Sequence, residues 1–212
     1  MHIPDGFLDV KTWTTAAAVS AGILGYAITK TKDALNERQV PRMGVMAAFI
    51  FAAQMVNFPV AGGTSGHLVG GALAAITMGP WSASLIIATV LIIQCLFFQD
   101  GGLTALGANI LLMGIVAPFV AHWIYKTLVG DSQDRSRILI GTFVAGWIST
   151  FTAALTCTFL IVVSGTVPLN VALPAMAGWH ALIGIGEGLI TAAVIGYLTQ
   201  VKSELVFHPE RA

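Results

Sequence analysis

Six stretches of the chain, at about 12–29, 42–58, 81–98, 104–125, 138–163 and 177–200, stay apolar for close to the length of a membrane crossing. A transmembrane helix needs ~20 mostly apolar residues to span ~30 Å of hydrocarbon. In lipid, every backbone N–H and C=O must be satisfied internally, which leaves helices or closed barrels. Runs this long select helices, so the expected fold is an all-α, polytopic membrane helix bundle. Only 9% of the residues are charged, against 56% hydrophobic, where a soluble domain carries about 25% charged. The ten basic and ten acidic residues leave no basic excess for nucleic acid, and the chain is too apolar to be disordered. Residues 1–11 contain Asp5, Asp9 and Lys11, the reverse of a positive signal-peptide start, so Met1 is expected to be the mature N-terminus.

A seventh apolar segment, 67–78, ends at Gly79-Pro80 and has only twelve residues, about 18 Å of helix. Charge placement argues that it crosses. With seven spans and the N-terminus outside, Lys30, Lys32, Arg38, Arg42, Lys126, Arg135, Arg137, Lys202 and Arg211 fall inside, and Lys11 alone falls outside. That is the positive-inside pattern; if 67–78 does not cross, the pattern is lost. Seven transmembrane helices, N-terminus outside and C-terminus inside, are therefore expected. The preceding PVAGGTSG must then dip into the bundle from the outer side, where irregular backbone is tolerated only against protein or a cavity. The organisation expected is a single transmembrane domain over 1–212, with an N-terminal metal-binding segment (1–11), an outer Gly-rich loop (59–67) and an inner loop (126–137).

His2 is the residue with chemistry. A free Met1 amine, the His2 amide nitrogen and the His2 Nδ1 can chelate one ion through a five-membered and a six-membered ring. Three nitrogens in a plane suit a fourth in a square, the geometry of Ni(II) or Cu(II) rather than tetrahedral zinc. Methionine removal requires a small second residue, and His2 is large. Taken alone, a second-position histidine is usually incidental. His67, at the end of the Gly-rich loop and on the same outer side, is the candidate fourth donor; its bland alternative is a structural histidine at a helix start. Ile3, Phe7 and Leu8 could plug into apolar walls behind the Asp5-Gly6 turn. Asp5, Ser65, His180 and Glu187 are candidates to support the ligands, Asp5 either orienting an imidazole or forming the turn. Glu187 is a carboxylate inside a span, functional by default unless it pairs across helices. Gln54, Asn57, Gln94 and Asn109 also lie in or near spans; Asp100 could attract cations or cap the next helix, and the cap is favoured. Cys95 and Cys157 are expected to be packing residues, His122 a packing or interface residue, and His208 a tail residue. Ala48 and Ala52, at small-xxx-small spacing, are candidates for a partner-helix contact. No Walker A motif, HExxH or set of His boxes is present.

MHIPDGF, GGTSGHLVGG, FQDGGLTALGAN and HALIGIGEGLIT, in that order along most of the chain, resemble the CbiM/NikM family, the substrate-specific membrane subunits (S components) of cobalt and nickel energy-coupling-factor (ECF) transporters. The resemblance implies a six-helix S-component core plus one extra N-terminal helix. It implies a metal held in a square of nitrogens by Met1, His2 and His67, with Ni²⁺ or Co²⁺ as the transported substrate; the sequence does not decide between them, and the square geometry leans to nickel. It also implies partners: a transmembrane coupling subunit, ATP-binding-cassette ATPases and a further small membrane subunit, in the cytoplasmic membrane. The rival readings are a membrane metalloenzyme built on His67, His180 and Glu187, and a stand-alone metal channel or carrier.

Overall fold

Asp9 starts the first helix. Its carboxylate accepts the backbone N–H groups of Lys11 (2.8 Å) and Thr12 (3.2 Å), as an N-cap does, and α1 follows over Val10–Thr31. The computed structural model describes residues 1–32, 39–202 and 206. Within them α2 spans Gln39–Gln54, α3 Gly71–Met78, α4 Pro80–Phe98, α5 Leu106–Asn109, α6 Ala117–Leu128, α7 Arg135–Val163 and α8 Leu169–Val201. A π-helical stretch, Ile110–Val116, joins α5 to α6 in one helix over Leu106–Leu128. Strands β1 (Phe58–Pro59) and β2 (Ser65–Gly66) pair antiparallel, Phe58 opposite Gly66 and Pro59 opposite Ser65. Arg38, His208 and Arg211 lie outside the described residues.

Each long apolar run is a helix, with displaced ends. Four helices, Pro80–Phe98, Leu106–Leu128, Arg135–Val163 and Leu169–Val201, are long and apolar enough to cross a membrane by themselves. At 1.5 Å per residue, the 29 residues of α7 and 33 of α8 reach about 44 and 50 Å. Both exceed the ~30 Å hydrocarbon core, so they tilt or project from it. The second run stops at Gln54 rather than 58, before the β1–β2 loop. The last begins at Leu169, eight residues earlier than expected, and carries Pro174 within it. The loop expected at 126–137 narrows to 129–134, because α6 continues to Leu128 and Asp134 caps α7 through the Arg137 N–H at 2.8 Å.

The largest departure is at 67–78. Only Gly71–Met78 is helical, ~12 Å long. Gly70 takes a φ of +76°, a left-handed turn that glycine adopts at little cost. The N–H groups of Val69 and Gly70 are drawn instead to the two carboxylate oxygens of Glu187, each at 2.8 Å. Residues 71–76 are all buried, so α3 is an internal plug below a folded loop.

Small residues set the close approaches. A Cβ on Gly188 would stand 2.7 Å from the Phe143 carbonyl, and one on Gly107 would stand 2.4 Å from the Ala17 Cα. The first brings α8 onto α7 and the second brings α5 onto α1, which Ser20 also ties to the Gly107 carbonyl at 2.7 Å. The main buried cluster draws on α3, α4, the π stretch, α7 and α8, and two of its members, Met1 and Ile3, come from the extreme N-terminus.

Candidate metal centre

Residues 1–9 run back into the bundle. Met1 and Ile3 are fully buried, and His2 retains 5% exposure. Gly6, with φ +83°, turns the chain toward α1. Ile3 is gripped on both sides of its peptide: its N–H donates to Asn109 Oδ1 (2.8 Å), and its carbonyl accepts from Asn109 Nδ2 (3.1 Å) and the Gly102 N–H (2.9 Å). A Cβ on Gly102 would lie 2.3 Å from the Asp5 nitrogen, so the second glycine of DGG gives the segment its room. Farther out, the Thr166 hydroxyl donates to the Phe7 carbonyl, and Phe7 and Leu8 pack on the buried cluster.

The nitrogens converge deeper in. The Met1 amine and the His2 backbone N–H both donate to Ser65 Oγ, each at 3.0 Å. Nε2 of His2 lies 3.1 Å from Gln94 Oε1, so it carries the ring proton and leaves a lone pair on Nδ1. Nδ1 of His67 lies 2.6 Å from the Leu68 carbonyl, so it is the donor and Nε2 keeps the lone pair. That Nε2 is buried with no hydrogen-bond partner among the described residues. The two imidazoles stack, centroids 4.5 Å apart at 25°. Burial lowers the Met1 amine from 8.0 to about 5. Burial, reinforced by the adjacent amine, lowers His2 from 6.5 to about 3. At neutral pH the pocket therefore holds uncharged nitrogens with open lone pairs, a soft-to-borderline donor set for a divalent transition ion.

Asp5 does not orient an imidazole. Its oxygens accept the N–H groups of Leu103 (3.0 Å) and Thr104 (2.8 Å) and the Thr104 hydroxyl, pinning the N-terminal segment to the 103–104 turn. The carboxylate beside an imidazole is Asp100, whose Oδ1 lies 3.2 Å from Nδ1 of His2. Asp100 is also not the helix cap that the sequence favoured: α5 has Ala105 at its cap position and no side-chain cap bond. Burial raises the Asp100 carboxyl above its ordinary range. His180 donates from Nδ1 to the Met176 carbonyl (2.8 Å) and faces the Ser65 backbone. Glu187 holds the chain just beyond His67, as described. Ala48 and Ala52 lie on the exposed side of α2. Cys157 packs below the loop, its Sγ 3.8 Å from the Thr64 hydroxyl.

Gln94, Asn109 and Asn57 were visible in the sequence only as polar residues in or near apolar runs. The structure gives them partners: His2, Ile3 and, at 3.1 Å, Asp100. Among the described residues no three His, Cys, Asp or Glu side chains are grouped to hold a metal ion. His67, His180 and Glu187 thus do not form a side-chain metal cluster, and both Glu187 oxygens are already used.

The family model described as CbiM, cobalt uptake substrate-specific transmembrane region, matches residues 2–205. A protein of Archaeoglobus fulgidus, provisionally named fused nickel transport protein NikMN, is 43% identical over 208 residues, covering 97% of this chain and 68% of that one. The fused nickel transport protein NikMN of Rhodobacter capsulatus is 36% identical over 227 residues, covering 100% of this chain and 65% of its own. A crystal structure of a transition metal transporter superposes with a TM-score of 0.89 at 35% identity, over 96% of this chain and 95% of that one.

Proposed function

We propose that this chain, which belongs to the CbiM family of cobalt-uptake substrate-specific transmembrane proteins, captures Ni²⁺ or Co²⁺ for an ATP-driven ECF importer. Its relatives are transporters rather than enzymes, which removes the metalloenzyme reading. The ion is held by the Met1 amine, the His2 amide nitrogen, the His2 Nδ1 and the His67 Nε2, four nitrogens in a square. The observation that carries this is the meeting of the Met1 and His2 nitrogens on one oxygen, Ser65 Oγ, at 3.0 Å each, beside the stacked His67 ring. Two adjacent chelate nitrogens already aimed at one point lower the entropy cost of closing the ring around an ion.

The square favours Ni(II), and the relatives described above carry nickel in their names. The whole chain works as one transmembrane domain of seven spans, α3 and its loop completing the third, with the N-terminus outside and the C-terminus inside. Its location is the cytoplasmic membrane. A coupling subunit docks on the α2 face of Ala48 and Ala52, exposed in the chain alone. ATP-binding-cassette ATPases and a small further membrane subunit complete the importer, and the fused names of the relatives agree with a partner membrane component.

The test is a nickel titration of the chain with an unmodified N-terminus, beside the same chain extended by one residue. One ion bound tightly by the first, and lost in the extended chain and in His67→Ala, is expected. Equal binding by the extended chain removes the Met1 amine from the site.

A further inference from the structure

Asp100 is the carboxylate that touches the candidate ligands, and it is also the part of the pocket that still meets solvent. Its side chain keeps 16% exposure, against 3% for the His2 ring. Asn57 Nδ2 holds its Oδ2 at 3.1 Å. Its other oxygen lies 3.2 Å from Nδ1 of His2, without the alignment of a hydrogen bond. With Nε2 of the ring engaged by Gln94, Nδ1 keeps a lone pair that is directed off the line to Oδ1. Two acceptors this close repel unless a cation sits beside them and takes a lone pair from each. Oxygen and nitrogen ligands at about 2.0–2.2 Å and near a right angle are ~3 Å apart, which matches the observed spacing.

We propose that Asp100 Oδ1 and His2 Nδ1 form a first, transient site for the incoming divalent cation, ahead of the buried nitrogen set; this rests on His2 being a ligand. The hydrated ion exchanges one water for Asp100 Oδ1, then another for Nδ1. The ion anchored at Nδ1 acidifies the adjacent His2 amide, whose N–H proton passes to water as that nitrogen binds. The amine and amide nitrogens then replace Asp100, with Nδ1 retained throughout, so the ion is handed inward and never released. Asp5 and Asp9, the carboxylates of the N-terminal segment itself, are occupied by the 103–104 turn and the start of α1.

Stopped-flow mixing of Ni²⁺ with the full chain, N-terminus unmodified, tests this with Asp100→Asn. The association rate should fall about tenfold or more, and the loss should persist at ~1 M salt, where charges screen within ~3 Å. The absorption spectrum of the bound ion should not change. Asp100→Glu, which keeps the carboxylate, should retain fast association even if Asp100→Asn folds poorly, and Asp131→Asn, in the 129–134 loop, should leave the rate as in wild type. Equal rates for wild type and Asp100→Asn overturn the proposal. So does a difference that vanishes at high salt, which is long-range attraction alone. An altered spectrum, or weaker equilibrium binding at an unchanged rate, makes Asp100 a permanent ligand or a ring-positioning residue instead. Failure of the nitrogen site itself is read separately, from wild type and its one-residue extension.

Discussion

The His2 amide N–H donates to Ser65 Oγ; in the proposed site the metal takes that direction as the proton leaves. The pH dependence of binding follows from the groups around it. With the Met1 amine at about 5 and His2 at about 3, both are neutral at pH 7 and lose no proton to the metal. Nickel binding at pH 7 should therefore release about one proton, that of the amide. As pH falls below about 5, protons compete for the amine, so affinity should drop more steeply, and again near 3 for the ring. Calorimetry in buffers of different ionisation enthalpy measures the count; two or more protons at pH 7 would contradict a buried, pre-neutralised site. The sequence could nominate Met1, His2 and His67 because a terminal chelate depends on covalent order alone, and one Gly-rich loop bears the third. It could not assign Asp5 and Asp100, whose roles exchange in the structure. Their partners, Thr104 and His2, are set by the seating of the N-terminus against DGG, a tertiary event with no local signature.

Among the elements, the loop 55–70 and α3 departed most from the apolar pattern. Hydropathy gives a continuous run from 67, but the backbone at Val69 and Gly70 answers to a carboxylate 118 and 117 residues away. Glu187 thereby caps α3 from α8 and holds the chain that bears His67. Charge-assisted bonds of this kind contribute about 1.5–3 kcal/mol each. Glu187→Gln leaves one acceptor and sets an amide donor against an N–H. We expect it to lower stability by about 2–3 kcal/mol, read as a lower thermal midpoint of the metal-free chain in detergent. Nickel affinity should weaken with it. An unchanged midpoint would mean that α3 does not depend on this cap. The long helices were legible because twenty apolar residues have few alternatives in lipid. Their ends were less so: the last run was expected from about 177, and α8 begins at Leu169 with Pro174 inside it.

Across the molecule, the skew of basic residues in the sequence is the basis of the proposed N-out, C-in arrangement. It predicts that Leu103→Cys, exposed beside the N-terminal segment, reacts with a membrane-impermeant thiol reagent on intact cells. Asp131→Cys, in the 129–134 loop, should react only after permeabilisation; Cys95 and Cys157 are buried and should stay silent. The reverse pattern would invert the topology. The same long-range contacts bear on how the protein is made. The N-terminal segment meets partners 64 residues away at Ser65, 106 at Asn109 and 159 at Thr166. Residues 1–7 thus find their places only after long loops close, which slows folding. A chain halted after α6 would already contain Met1, His2 and His67, yet lack Cys157, Met176, His180 and Glu187 around and beneath them. On the proposed reading the capacity to hold an ion arrives with α7 and α8, so a chain without them carries the donors but not the pocket.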